Sequence, residues 1–202
     1  MTQLLLASSN TGKLREIQAI LAQEGLSATA LELVLPAQLG IQLDVAEDGA
    51  SYAENAAKKA LAYSQASGLA VLADDSGLEV DALGGQPGLY SARYAPLPHA
   101  TDADRRRYLL QNLQGKPRPW TAHFHCTVAV ARPGGSIAYA EGDCPGEIIP
   151  EERGQNGFGY DPIFLLPELG QTMAELSLEQ KNRLSHRARA VMAALPILRG
   201  LI

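Results

Sequence analysis

The 202-residue chain has only two cysteines, Cys126 and Cys144, so a disulfide framework is excluded as the source of its stability. None is needed, because a chain of this length buries roughly 70% of its unfolded surface. Basic charge is not in excess either. Lys and Arg number 17 against 22 Asp and Glu, a net charge of −5. That excludes a broad electrostatic grip on nucleic acid but leaves room for a local phosphate site. No stretch approaches the ~20 apolar residues of a membrane span. The opening MTQLLLASSNTGKLRE has no basic segment ahead of its short apolar run, so it is not read as a signal peptide. Neither nucleic acid nor membrane is an expected partner, and the expected location is the cytoplasm. Internal repeats and low-complexity tracts are lacking too. What is present, 46% hydrophobic and 19% charged residues, is a globular composition. The length suits a single domain over 1–202, with at most two lobes around one cleft.

The chain opens with an apolar strand over 3–7 and a polar turn over 8–12. Leu14, Ile17, Ile20 and Leu21 then recur at helical spacing, so a helix should run to about Glu24. Strand, tight turn, helix is an α/β opening. Residues 28–35 read as a second strand closed by Pro36. Ser51 and Glu54 form a capping-box pattern that opens an Ala-rich helix, which Gly68 ends. A short buried strand over 69–73 runs into Asp74-Asp75-Ser76-Gly77, and a second strand-like stretch covers 78–81. Thr101 and Asp104 cap a helix to about Leu113. Residues 121–131 alternate as a long strand, turned by Pro133-Gly134-Gly135 into a partner over 136–142. Ser177 and Gln180 cap the final helical region. The sum is a mixed sheet flanked by helices.

Five segments carry chemistry. The first is Ser8-Ser9-Asn10-Thr11-Gly12-Lys13, a polar turn before a helix N-terminus. It offers free backbone N–H groups, the positive end of the dipole and the Lys13 charge to a phosphate chain. It is not a Walker A loop, since Ala7 and Leu14 stand where Gly and Ser or Thr are required. The second is the acidic set Glu47, Asp48, Glu54, Asp74 and Asp75. Hard carboxylates suit Mg²⁺, and adjacent strand residues point to opposite faces, so one of Asp74 and Asp75 should reach a cleft while the other orients a neighbour. The third is the glycine-bearing run from Leu83 to Tyr94, which lacks dinucleotide-loop spacing. The fourth is Gly157-Phe158-Gly159-Tyr160-Asp161-Pro162, an aromatic between glycines that suits base stacking, with Asp161 as an acceptor for a base edge. The fifth is Lys181 followed by Ser185-His186-Arg187. A straight helix would place His186 ~140° from Lys181. A break near residues 183–185 is therefore expected, with Ser185 capping a second helix and His186 and Arg187 in its first turn.

Two patterns carry no site. His123 and His125 share one strand face, with Cys126 adjacent, but zinc usually takes three or four ligands and no second cluster exists. Arg105-Arg106-Arg107 reads as the solvated side of an amphipathic helix.

Taken in order, SSNTGK, AEDGASYAENAAKKA, ADDSGLEVDALGGQPGLYSARY, GFGYDPIF and K-x-x-x-SHR resemble the non-canonical purine nucleoside-triphosphate pyrophosphatases, over nearly the whole chain from Leu4 onward. The resemblance implies an elongated α/β fold with two lobes around a central substrate cleft, usually a homodimer. It implies Mg²⁺-dependent hydrolysis of ITP, dITP and XTP to the monophosphate and pyrophosphate, which clears deaminated purines from the nucleotide pool. It makes Ser8, Ser9, Asn10, Thr11, Gly12 and Lys13 the triphosphate loop and Asp75 the catalytic acid/base. Asp75 and Glu47 become the metal carboxylates, Glu47 being preferred to Asp48 because the family acid aligns there. Ser76 contacts substrate and Phe158 stacks on the purine within the Gly159, Tyr160 and Asp161 loop. Lys181, Ser185, His186 and Arg187 line the base end. Many members have Thr-Gly where Ser8-Ser9 stands.

Overall fold

The computed structural model describes residues 2–8, 10–26 and 31–202. Seven strands form one open sheet: β1 (Thr2–Leu6), β2 (Leu31–Val34), β3 (Ala70–Val80), β4 (Trp120–Ala131), β5 (Ile137–Ile148), β6 (Phe164–Leu166) and β7 (Gln171–Thr172), in the order β2-β1-β3-β4-β5-β6-β7. The β1 strand pairs parallel with β2 and β3, and β6 pairs antiparallel with β5 and β7. The sheet is therefore mixed, as expected. Five α-helices among the described residues accompany it: α1 (Thr11–Gln23), α2 (Tyr52–Ser67), α3 (Asp102–Leu113), α4 (Leu178–Leu184) and α5 (His186–Arg199).

The chain divides into two compact units. The first comprises 1–75, 126–142 and 186–202, and the second 76–125 and 143–185. Three of the four crossings fall inside β3, β4 and β5, so neither unit is a contiguous piece of sequence.

Strand parity organises the first unit. Leu4, Leu6 and Leu72 pack with Ile17, Ile20 and Leu21 of α1 and with Val191 and Leu198 of α5. Leu5, Val71 and Ala73 pack to the other side, with Ala56 and Ala60 of α2. The uninterrupted apolar run of β1 is thus explained by burial on both faces. In the second unit Leu78, Val80, Leu109, Leu113, Phe124, Ile163 and Phe164 form one cluster, with Trp120 and Tyr160 at 8% and 4% exposure.

The expected helix ends are found. Asn10 caps α1, Ser51 caps α2 and Gly68 closes α2 in the left-handed region. Thr101 with Asp104, and Ser177 with Gln180, make reciprocal capping boxes on α3 and α4. The helical region breaks where expected: Ser185 is extended between α4 and α5, which leaves His186 and Arg187 in the first turn of α5. The second-strand expectation over 28–35 lies partly outside the described residues.

One expectation is corrected. Asp74-Asp75-Ser76-Gly77 is not a break between two strands but the middle of the 11-residue β3. Turn-forming side chains are carried there by a backbone buried along most of its length.

Candidate active site

In the first unit, the β1–α1 connection is a capped helix start. The Asn10 Oδ1 accepts the N–H groups of Gly12 and Lys13 at 2.9 and 3.1 Å, and the Ser8 hydroxyl accepts the Asn10 N–H at 3.2 Å. This corrects the expectation of free N–H groups, because the cap already serves two of them. Ser9 lies outside the described residues. Lys13 turns inward to Asp74, Nζ to Oδ2 at 3.0 Å.

The two aspartates of β3 then diverge. Asp74 is 2% exposed. Its Oδ2 meets Lys13 and accepts Nε–H of Arg187 at 3.1 Å, and the Cys126 thiol lies 4.0 Å away. Burial alone would raise its pKa, but the charges of Lys13, Arg187 and Lys59 overcome that and hold it well below the usual carboxylate range. Burial, with Asp74 behind it, pushes the Cys126 thiol up to about 12, so it is an inert core group. Asp75 faces α2 instead, where its Oδ2 accepts Nδ2–H of Asn55 at 3.0 Å. Burial raises its pKa, and Lys59, Lys13 and Asn55 only partly offset it. Asp75 is therefore the member of the pair suited to accept a proton. Ser76 follows it in β3 and is half-buried.

Asn55 and Lys59, four residues apart on one face of α2, assemble the rest. The Asn55 Oδ1 accepts the Gly49 N–H at 2.8 Å, tying the loop that carries Glu47 to the residue that orients Asp75. A Cβ on Gly49 would lie 2.7 Å from that same oxygen, so the close approach requires glycine. Lys59 Nζ donates to Glu47 Oε1 at 2.8 Å and to the Asp74 carbonyl at 2.6 Å, and lies 4.0 Å from Asp75 Oδ1. Asp48 is exposed and pairs with Lys58 at 2.6 Å. Glu54 accepts the Ala50 N–H and serves the helix start. Of the acidic set, Glu47, Asp74 and Asp75 come together. Asn55 and Lys59 were missed in the sequence, although their i, i+4 spacing beside the acids was a readable signal.

The Arg187 side chain is 2% exposed and donates from Nε to Asp74 and from Nη1 to Glu16 of α1, contacts that the sequence reading did not include. Glu16 was not anticipated, and its partner is 171 residues away. His186 is buried, 5% exposed.

In the second unit, Lys181 and Asp161 form a buried pair at 2.6 Å, with side chains 4% and 5% exposed. The same Asp161 oxygen accepts the Phe158 N–H at 2.9 Å. Asp161 thus holds the loop and the ammonium, a different task from accepting hydrogen bonds from a base edge. Lys181 Nζ stands 4.9 Å from the centroid of the half-buried Phe158 ring, a cation–π contact. Gly157 permits this fold-back: its φ is +76°, and a Cβ there would lie 2.1 Å from Asp161 Oδ2. Ser185 is 1% exposed, its N–H bonded to the Lys181 carbonyl at 2.9 Å. Tyr160 is corrected to a core residue, its hydroxyl donating to the Ser91 carbonyl at 2.9 Å. Gly159 is corrected to an anchoring point, since α3 holds both of its backbone polar groups.

His125 pairs with Asp143 at 2.7 Å and His123 with Glu79 at 3.4 Å. Among the described residues no group of three His, Cys, Asp or Glu side chains is placed to hold a metal.

Fold and geometry define a mixed-sheet α/β protein with a buried carboxylate–lysine cluster beside a capped helix start, and a second unit presenting an aromatic over an ammonium. The chain belongs to the Ham1 family, whose model matches residues 4–197. It is 46% identical over 200 residues to a dITP/XTP pyrophosphatase of Desulforamulus reducens, covering 98% of this chain and 96% of that one. It is 49% identical over 192 residues to the Geobacillus kaustophilus protein of the same name, covering 95% and 91%. A HAM1 protein from Coxiella burnetii superposes with a TM-score of 0.88 at 37% identity, covering 99% of this chain and all of that one.

Proposed function

We propose that this chain hydrolyses non-canonical purine nucleoside triphosphates, ITP, dITP and XTP, to the monophosphate and pyrophosphate. Relatives of nearly equal length bearing the name dITP/XTP pyrophosphatase support the reading. The observation that carries it is the divergence of Asp74 and Asp75: one carboxylate is locked as an anion against Lys13, and its neighbour, raised by burial, is poised to take a proton. Asp75 accepts the proton of a water that attacks the α-phosphorus, and pyrophosphate leaves. Lys13 steadies the charge that develops on the leaving group. Asn55 holds Asp75 in orientation.

Magnesium is the ion this donor set suits. Glu47 and Asp75 both approach Lys59 Nζ, so two hard carboxylates can meet at one cation, and Mg²⁺ needs only one or two of them beside substrate phosphates. Held by Glu47 and Asp75, the ion would supply neutralisation of phosphate oxygens.

For the base, Phe158 supplies the stacking face. Buried donors at the base end would bond a keto oxygen at the purine six-position and would leave the amino group of adenine facing a donor. Each unpaired buried polar group costs about 1–3 kcal/mol, enough for strong discrimination when two conflicts add. Arg187, committed to Glu16 and Asp74, is left out of this filter. A homodimer and a cytoplasmic location complete the reading and rest on the family likeness. No helix among the described residues is long and apolar enough to cross a membrane.

The test is incubation with Mg²⁺ and ITP, XTP, ATP or GTP in parallel, with product identification and an EDTA control. IMP and XMP with pyrophosphate, and little from ATP or GTP, is the expected result. Orthophosphate as the product, or equal turnover of ATP, would overturn it.

A further inference from the structure

The three arginines of α3 are not one solvated face. Arg105 pairs with Asp102 and donates to the Ala92 and Ala100 carbonyls, while Arg107 pairs with Asp104 and is 65% exposed. Arg106 differs. Its side chain is 12% exposed, and Nε and Nη2 fork onto the two carboxylate oxygens of Glu152, both at 2.9 Å. Its remaining nitrogen, Nη1, donates to the Gly159 carbonyl at 2.8 Å. One turn earlier on the same helix face, Asp102 Oδ2 accepts the Gly159 N–H at 2.7 Å. Two side chains of one rigid helix therefore grip both polar groups of a glycine more than 50 residues away, at a left-handed φ of +61°. Phe158 precedes that glycine, and its own N–H is held by Asp161.

We propose that Asp102 and Arg106 are positioning residues for base recognition: by clamping Gly159 they preset the tilt of the Phe158 ring on which the purine stacks. The proposal rests on the reading of Phe158 as the stacking face. An aromatic flanked by two glycines has more backbone freedom to lose when substrate binds, and backbone ordering of about one residue corresponds to roughly a ten-fold loss in affinity. The fork onto Glu152 fixes the guanidinium so that the Gly159 bond is made in advance.

The test is steady-state ITP hydrolysis by the full chain. Arg106→Ala should raise KM about ten-fold with kcat within about two-fold. Arg106→Lys, which retains a donor for the Gly159 carbonyl, should return KM to within about three-fold of the parent. Added to Phe158→Ala, Arg106→Ala should cost less than a further about two-fold, because both act through one ring. Asp102→Ala, which removes the other half of the clamp, should raise KM in the same direction. Were Phe158→Ala to raise KM while Arg106→Ala and Asp102→Ala left it unchanged, the clamp would be overturned and stacking retained. Effects of Arg106→Ala and Phe158→Ala that multiply in full would also overturn the clamp. An unchanged KM in Phe158→Ala would overturn the stacking reading and the clamp with it.

Discussion

Arg187→Met is the substitution whose effect follows most directly from the geometry. The guanidinium is 2% exposed and stands between Glu16 and Asp74, with side-chain exposures of 4% and 1%. Methionine keeps much of the volume and removes the charge. Asp74 retains Lys13, while the buried Glu16 loses its pairing with the Arg187 guanidinium. Breaking a buried ion pair by removing one partner costs about 3–5 kcal/mol, because the remaining charge stays desolvated. For a chain of this size each kcal/mol lowers Tm by about 2–4 °C, so a fall of about 10 °C is expected. The assay is reversible denaturation by urea and by heat, with the urea m-value unchanged if the native state keeps its compactness. Adding Glu16→Gln to Arg187→Met should recover part of the loss, since it removes the stranded charge. A Tm loss under about 2 °C, with no recovery from the second substitution and an effect confined to KM for ITP, would refute a structural role for the buried ion pairs and favour a role for Arg187 at the base end.

Asp75→Asn keeps shape and removes the proton acceptor, so turnover should fall by at least about 100-fold while Tm moves by only a few degrees. Near-normal turnover would refute the assignment. Gly157→Ala places a Cβ 2.1 Å from Asp161 Oδ2 at a φ of +76°, so it should destabilise the chain by about 2 kcal/mol and raise KM for ITP. An unchanged melting curve would contradict the close approach. Glu152 is held below its ordinary value of 4.5, chiefly by the Arg106 hydrogen bond, with burial acting against it. A depressed carboxylate stabilises the fold above its unfolded value and loses that contribution as pH falls through its folded one. The Tm advantage of the parent over Glu152→Gln should therefore be present at neutral pH and fade below pH 4.5. A difference that stays constant into that range would refute the linkage.

Local chemistry made much of this molecule legible. Caps at Asn10, Ser51, Thr101 and Ser177 stand beside the groups they serve, and the break at Ser185 followed from an angular mismatch between Lys181 and His186. What escaped reading depends on long-range partners. Asp, Ser and Gly are turn formers by local preference, so β3 looked interrupted. Lys13 and Arg187, brought in by α1 and α5, and Lys59 of α2 let Asp74 sit inside a strand. Tyr160 was read as part of the substrate loop around Phe158, and its core packing is set by Leu78, Ile163 and their neighbours. Arg106 looked solvated because its acceptors are the Glu152 carboxylate, 46 residues away, and a backbone carbonyl, which carries no sequence signal.

The division of labour between Asp74 and Asp75 comes from strand parity. Side chains along β3 alternate between faces. Leu72 belongs to the α1 and α5 side, so Asp74 must point there, where Lys13 and Arg187 wait. Val71 and Ala73 belong to the α2 side, so Asp75 must point to Asn55 and Lys59. Two chemically identical neighbours thereby acquire opposite pKa shifts, one fixed as an anion by three cations and the other raised by burial. The apolar residues that precede the pair decide which aspartate is which. A one-residue slip in 71–73 would exchange the two environments while leaving every side chain of the site in the sequence. The packing of the first unit is in this sense part of the proposed assignment: Asp75 faces Asn55 and Lys59 because Leu72 faces α1.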